Sequence, residues 1–255
     1  MKIVLKIGGN EIDEAAFLTQ VTSLVGKLRK ANHEIVLVHG GGKEITGLLK
    51  KLGIETRFVD GIRYTDAQSL DATEMILSGG INKRLVKTLQ LAGVSALGAS
   101  GVDASIMVAE RITRSGEDLG LVGEISAINV RVVEDLIRQF VLVLSPVSLD
   151  KNSGASLNVN ADHAAAAMAS FLKAELVIFL SNVPGVINAG SVLPRIQERE
   201  FEELKKNGVI TGGMIPKVES GLRAVKGGAR IAFITDAEGA GRISSGEIAG
   251  TQVTV

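Results

Sequence analysis

Two glycine clusters, each closing an apolar run, constrain this chain more than any other feature. Met1-Lys2-Ile3-Val4-Leu5-Lys6-Ile7 ends at Gly8-Gly9, and Glu34-Ile35-Val36-Leu37-Val38-His39 ends at Gly40-Gly41-Gly42. Short apolar runs with a helical stretch between them predict parallel strands of an α/β sheet. Glycines where strands give way to helices let backbone N–H groups approach an anion, and a helix N-terminus adds partial positive charge. Side by side, two such turns form a phosphate cradle with Lys6 emerging from one wall. Neither turn has the spaced glycines of the dinucleotide fingerprint or the Gly-Lys-Ser/Thr ending of a P-loop. Glycines that serve only tight turns are the plainer alternative.

At 255 residues the chain has room for one large or two modest domains. Lysine plus arginine equals aspartate plus glutamate at 28 each, so no bulk field draws it to nucleic acid or to a membrane surface. The absence of cysteine excludes disulfides, thiolate metal sites and cysteine nucleophiles. With no tryptophan and one tyrosine there is no stacking platform for single-stranded nucleic acid. No apolar run spans a bilayer and the first residues enter a strand directly, which predicts a soluble cytoplasmic protein.

Strand and helix signals alternate along most of the chain, predicting a mostly parallel sheet with helices on both faces. Asp13 is placed to cap a helix running to about Ala31, and a second helix runs to about Leu52. Helical periodicity covers Ala67 to Leu77 and again Asn82 to Ala92, before a buried strand at Val94 to Ala99. Ser105 to Asn129 is β-rich and glycine-punctuated, a hairpin excursion. A short helix (Val132 to Gln139), a strand (Phe140 to Leu144) and a surface turn (Asp150 to Gly154) follow. Asp162 to Leu172 is alanine-rich and helical, and a boundary near Lys173 divides the chain into portions 1–172 and 173–255. The second portion repeats the theme: strand (Leu176 to Leu180), helices (Glu198 to Asn207, Pro216 to Lys226), strand (Arg230 to Thr235) and a closing edge or returning strand.

Lys6 interrupts an otherwise apolar strand, where a lone ammonium is costly to bury. It shares one face with Lys2 and Val4. An outward edge-strand position explains that, but ligands of open α/β sheets gather at the carboxyl end, where Lys6 lies. Asn158 and Asn160 flank one valine in extended chain and point the same way, suiting a substrate's amide and carboxylate oxygens. Asn160 or Asp162 as a plain helix cap is the alternative. Lys217 follows Gly212-Gly213-Met214-Ile215-Pro216 in a first helical turn, where a cation opposes the helix dipole unless an anion binds. Arg63 follows a turn glycine and can clamp a carboxylate bidentately, or simply be solvated.

Together these motifs resemble the amino acid kinase family. The matching stretches are Lys6-Ile7-Gly8-Gly9, Val38-His39-Gly40-Gly41-Gly42, Gly61-Ile62-Arg63-Tyr64-Thr65-Asp66, Asn82-Lys83 and Leu119 through Ile125. Asn158-Val159-Asn160-Ala161-Asp162, Leu180 through Val186 and Ile210 through Lys217 complete the ordered set. The resemblance implies a three-layer αβα sandwich on an open sheet. It implies transfer of the γ-phosphoryl group of ATP, carrying Mg2+, to the side-chain carboxylate of N-acetyl-L-glutamate in arginine biosynthesis. On that resemblance Lys6 and Lys217 bracket the phosphoryl group, Asp162 orients both ammonium groups, and Gly9, Gly41 and Gly42 give backbone donors. Arg63, Asn158 and Asn160 hold the amino acid, with Gly41 and Gly42. Gly8, Ser181, Asn182, Gly213, Met214 and Lys217 face the nucleotide. Residues 1–172 then bind the amino acid and dimerise, and 173–255 bind ATP.

Asn182 stands where the family pattern has aspartate, Tyr64 replaces a small aliphatic residue, and Thr235 to Gly250 matches poorly. The N-terminal helix of arginine-inhibited hexamers has no counterpart, so a homodimer without arginine feedback is expected. Two rivals remain. One is a kinase acting on the α-aminoadipyl or glutamyl end of an amino-group carrier protein. The other is a non-catalytic anion-binding module, which would not need Lys6, Lys217 and Asp162 together.

Overall fold

Apolar residues alternate along each central strand between two separate layers of core, so the sheet is buried on both faces. The computed structural model describes residues 1–8, 12–59, 61–242, 247 and 249–255. β1 (Lys2–Ile7), α1 (Ala15–Lys30), β2 (Glu34–His39) and α2 (Gly42–Lys51) open the chain, followed by a small hairpin, β3 (Phe58–Val59) and β4 (Ile62–Arg63). α3 (Ala67–Glu74) continues through a π-helical segment (Met75–Ile81) into α4 (Asn82–Leu91) and then β5 (Ala96–Ser100). β6 (Met107–Arg114) and β7 (Glu117–Ile128) form a long hairpin, and α5 (Val130–Gln139) leads to β8 (Val141–Ser145). β9 (Val147–Asp150) and β10 (Ser156–Val159) precede α6 (Ala161–Leu172) and β11 (Leu176–Leu180). Then come β12 (Ile187–Asn188), β13 (Ser191–Val192), β14 (Arg195–Gln197), α7 (Glu198–Lys206) and α8 (Met214–Lys226). β15 (Ala232–Thr235), α9 (Ala237–Gly241) and β16 (Thr251–Thr254) end the chain.

Eight strands form the main sheet in the order β14-β16-β15-β11-β1-β2-β8-β5. From β15 to β5 all neighbours are parallel, whereas β16 returns antiparallel to β15 and carries β14 at the edge. Ile3, Leu5 and Ile7 face one core with α1, α2 and α4, while Val4 faces the other with α5, α6 and α8. A sheet covered on both faces needs near-continuous apolar strands, which is why β1, β2, β8 and β11 were legible as such. The Ser105 to Asn129 excursion is the β6–β7 hairpin. It closes into a four-stranded barrel with β9 and β10, where β10 pairs parallel to β7 and antiparallel to β9. This is an αβα sandwich with an added barrel at its carboxyl rim.

Two local expectations are corrected. Asp13 does not cap α1: Glu14 holds the N-cap position, and the Asp13 carboxylate instead pairs with Lys43 at 3.3 Å and Arg84 at 3.5 Å. The separate helices at Ala67 and Asn82 are one continuous helical run, because Gly79-Gly80 is absorbed by the π segment rather than ending a helix. Among the described residues no helix is long and apolar enough to cross a membrane.

Candidate active site

β1 places Lys6 on the Val4 face, toward α6, at the strand's carboxyl end. Its side chain is nearly buried, and its ammonium lies 2.8 Å from Asp162 Oδ1 in the first turn of α6. Burial alone would raise the Asp162 carboxyl; the charges of Lys6 and then Lys217 outweigh it and hold the group below the ordinary carboxylate range. Lys217 therefore sits within electrostatic reach of the same carboxylate, although it enters from the first turn of α8. Its Nζ donates to the Gly213 carbonyl at 3.3 Å. Lys6, Asp162 and Lys217 line one cleft of about 270 Å³, near the lower end of the range for small-molecule sites.

The glycine turn after β2 forms another wall of that cleft. The Gly40 N–H donates to the Ile7 carbonyl at 3.2 Å, tying the two strand ends together. Gly41 is the N-cap of α2, and a side chain there would have to displace the tips of Ile81 and Leu77. A Cβ there would stand 2.4 Å from Ile81 Cδ1 and 2.6 Å from Leu77 Cδ2. Gly42 opens α2 beside empty space, so the helix N-terminus faces the cleft. Gly8 lines the cleft as well, and Gly9 lies outside the described residues.

Arg63, buried on β4, donates through Nη2 to Thr46 Oγ1 at 2.7 Å and to the Gly42 carbonyl at 3.2 Å. Its guanidinium lies 4.7 Å from the Phe58 ring centroid, while its other terminal nitrogen, Nη1, is buried with no partner in the protein. Burial lowers its pKa, yet a guanidinium stays charged at any ordinary pH. The barrel delivers Asn158, whose Nδ2 donates to Thr65 Oγ1 at 3.0 Å. Asn160 Oδ1 accepts from the N–H groups of Asp162 at 2.8 Å and His163 at 3.3 Å, so this residue caps α6. Its amide nitrogen remains for the cleft, which both asparagines line.

Four expected nucleotide contacts lie off this cleft. Ser181 is buried beyond β11 with its N–H bonded to the Thr235 carbonyl at 2.8 Å, and Asn182 beside it is exposed. Met214 leans on the α6–α8 core, because the first turn of α8 packs there. Gly213 lines a neighbouring hollow of about 330 Å³ with Arg114, His163 and Glu219. Reasoning from sequence missed Phe58, Ile62, Val122 and Pro146, which complete the cleft. The positive φ of Gly61 (77°), a turn glycine visible in the sequence, was the available sign of the β3–β4 hairpin over the site.

A cleft at the carboxyl ends of parallel strands, lined by two ammonium groups, a helix N-terminus and a half-satisfied guanidinium, is built for an anionic substrate next to phosphate. The chain belongs to the amino acid kinase family, whose sequence model matches residues 1–236. An acetylglutamate kinase of Roseiflexus castenholzii is 44% identical over 238 residues, 93% of this chain and 90% of the relative. One of Chloroflexus aurantiacus is 41% identical over 250 residues, covering 96% and 97% respectively. Among solved structures, smu.665 from Streptococcus mutans superposes with a TM-score of 0.85 at 31% identity, over 99% of this chain and 98% of that one. The carbamate kinase of Giardia, at 17% identity and a TM-score of 0.72, shares the fold.

Proposed function

We propose that this chain phosphorylates the side-chain carboxylate of N-acetyl-L-glutamate with ATP, as the name of its relatives describes, in the second step of arginine biosynthesis. The observation that carries the reading is the Lys6–Asp162–Lys217 group facing Gly41, Gly42 and Arg63 across one cleft. A carboxylate is already ionised at neutral pH, so the acceptor needs no general base. One of its oxygens attacks the γ-phosphorus as the bond to the bridging oxygen breaks, giving an acyl phosphate and ADP. Charge then spreads over the transferred group's oxygens, which Lys6, Lys217 and the N–H groups of Gly41 and Gly42 are placed to receive. Asp162 keeps two like charges close together while accepting no proton. The unpaired Nη1 of Arg63 suits the substrate's α-carboxylate, and the free amide atoms of Asn158 and Asn160 suit its α-carboxylate and acetamido group.

The donor set fits a triphosphate better than a bare metal ion. Among the described residues no three acidic or histidine side chains gather, so a magnesium ion would be held by the phosphates, whose charge it offsets. Division of labour between 1–172 for the amino acid and 173–255 for ATP belongs to the same reading, with Gly8, Ser181, Asn182, Gly213 and Met214 toward the nucleotide. So do a cytoplasmic setting and a homodimer. Exposed Met75 and Leu91 on the α3–α4 run support self-association.

The test is an ATP-dependent hydroxamate assay with N-acetylglutamate, glutamate, aspartate and N-acetylaminoadipate. Turnover with N-acetylglutamate is expected. Activity only with an unacetylated amino acid contradicts the specificity, and silence with all four points to a carrier-protein acceptor.

A further inference from the structure

Asn82 is fully buried where the π segment meets α4, yet its side chain is polar and lies outside the cleft. Its Nδ2 is 2.9 Å from the Val143 carbonyl, 3.2 Å from the Ala99 carbonyl and 3.3 Å from His39 Nε2. The two N–H bonds of the amide are shared among these three acceptors, which belong to β8, β5 and β2, three adjacent strands at their carboxyl ends. Gly98 is glycine because a Cβ would stand 2.0 Å from Asn82 Oδ1, and that oxygen accepts from Lys83 Nζ at 2.9 Å. The Asn82-Lys83 motif is thus accounted for as a staple across the sheet.

The partner that matters is His39, also fully buried. Its Nδ1 lies 3.2 Å from the Gly40 carbonyl. A carbonyl only accepts, so Nδ1 carries the proton and Nε2 is left as the acceptor for the Asn82 amide. The Gly40 carbonyl and the Gly41 N–H belong to one planar peptide unit and point in opposite directions. Whatever holds the carbonyl therefore aims the Gly41 N–H. The Gly40 N–H is held separately by Ile7. Behind Gly41, Leu77 and Ile81 of the π segment fill the space a side chain would need, and Ser78 Oγ bonds Ser145 Oγ at 2.8 Å.

We propose that His39, locked in its Nδ1–H tautomer by Asn82, is a positioning residue that aims the Gly41 N–H at the transferred phosphoryl group. This rests on the kinase reading above. A misaimed donor forfeits charge stabilisation that grows in the transition state, so the cost falls on turnover rather than on substrate affinity.

The experiment compares His39→Phe, which keeps bulk but offers no donor, with His39→Asn, whose amide nitrogen can replace Nδ1. His39→Phe should lower kcat about 10- to 100-fold with both KM values within about three-fold of wild type, and His39→Asn should recover most of the loss. A folded His39→Phe enzyme with kcat within about two-fold of wild type overturns the proposal, as does an equal loss in both variants that tracks their melting temperatures. Imidazole 15N shifts of the wild-type protein give a readout that needs neither folding of a variant nor activity. A protonated Nδ1 with a bare Nε2, shifting in Asn82→Leu, supports the pair; a protonated Nε2 refutes it. A wild-type enzyme inactive on N-acetylglutamate would instead defeat the kinase reading, and the 15N result would still judge the pair.

Discussion

Lys6 and Lys217 carry the same charge but sit in different settings, and this predicts different consequences of removing them. Lys6 is nearly buried against Asp162, so Lys6→Ala strands a carboxylate in the interior and should cost stability, on the order of 3–5 kcal/mol, as well as activity. Lys217 is half-buried and contributes to the site mainly through charge. Lys217→Ala should therefore lower kcat about 100- to 1,000-fold while shifting the denaturation midpoint little, which steady-state kinetics and urea unfolding would show together. Arg63→Lys keeps charge but loses the planar guanidinium whose Nη2 holds Thr46 and the Gly42 carbonyl while Nη1 stays unpartnered in the protein. It should raise KM for the amino acid roughly ten-fold or more and leave KM for ATP near wild type. The residue types at these positions were legible because charge in an apolar strand, or in the wrong end of a helix, demands a reason. Asn160 was legible only as an ambiguity, since a cap and a ligand contact ask for the same side chain.

Among the elements, the π segment was the least legible. Its flanks both have helical period, and Gly79-Gly80 reads as a break in any propensity argument. Only the need to bring Leu77 and Ile81 behind Gly41, and Asn82 over three strand ends, explains why the helix widens there instead of stopping. Deleting one residue from Ser78-Gly79-Gly80 should convert the segment to α-helix and remove the widened turn that seats Leu77 and Ile81 behind Gly41. The expected result is unchanged helical circular dichroism with kcat reduced at least about ten-fold. The strands were read well because double burial writes itself as an apolar run. The barrel was not, since its closure depends on β9 and β10, which lie apart in the chain from the hairpin they complete.

For the molecule as a whole, two buried titratable groups tie folding to pH. Burial pushes the His39 imidazole down to about 4 from 6.5; the hydrogen bond to the Gly40 carbonyl opposes this, and the nearby charges of Arg84 and Lys83 add to it. Because the folded state refuses a proton that the unfolded chain accepts, this contribution is complete above pH 6.5 and is lost as pH falls toward 4. Its size is on the order of 3 kcal/mol. Asp162, also held below its ordinary value, adds stability that persists above that value and disappears as pH drops through the lower folded one. Urea midpoints measured from pH 7.5 downward should fall steeply in wild type and more shallowly in His39→Phe. That the sheet order places β1 between β2 and β11 brings Gly8 and the Gly40–Gly42 turn to one rim, where α6 and α8 add Asp162 and Lys217. No local pattern could show this, because it depends on which strands become neighbours.

Two ammonium ions converging on one phosphorus are the core of the proposed chemistry. A crystal structure with ADP, N-acetylglutamate and a metal-fluoride mimic of the transferred group reads this directly. Lys6 Nζ and Lys217 Nζ should each lie about 3 Å from equatorial fluorides, with the Gly41 N–H on the same group. A mimic bound outside this cleft, or contacted by only one of the two lysines, contradicts it.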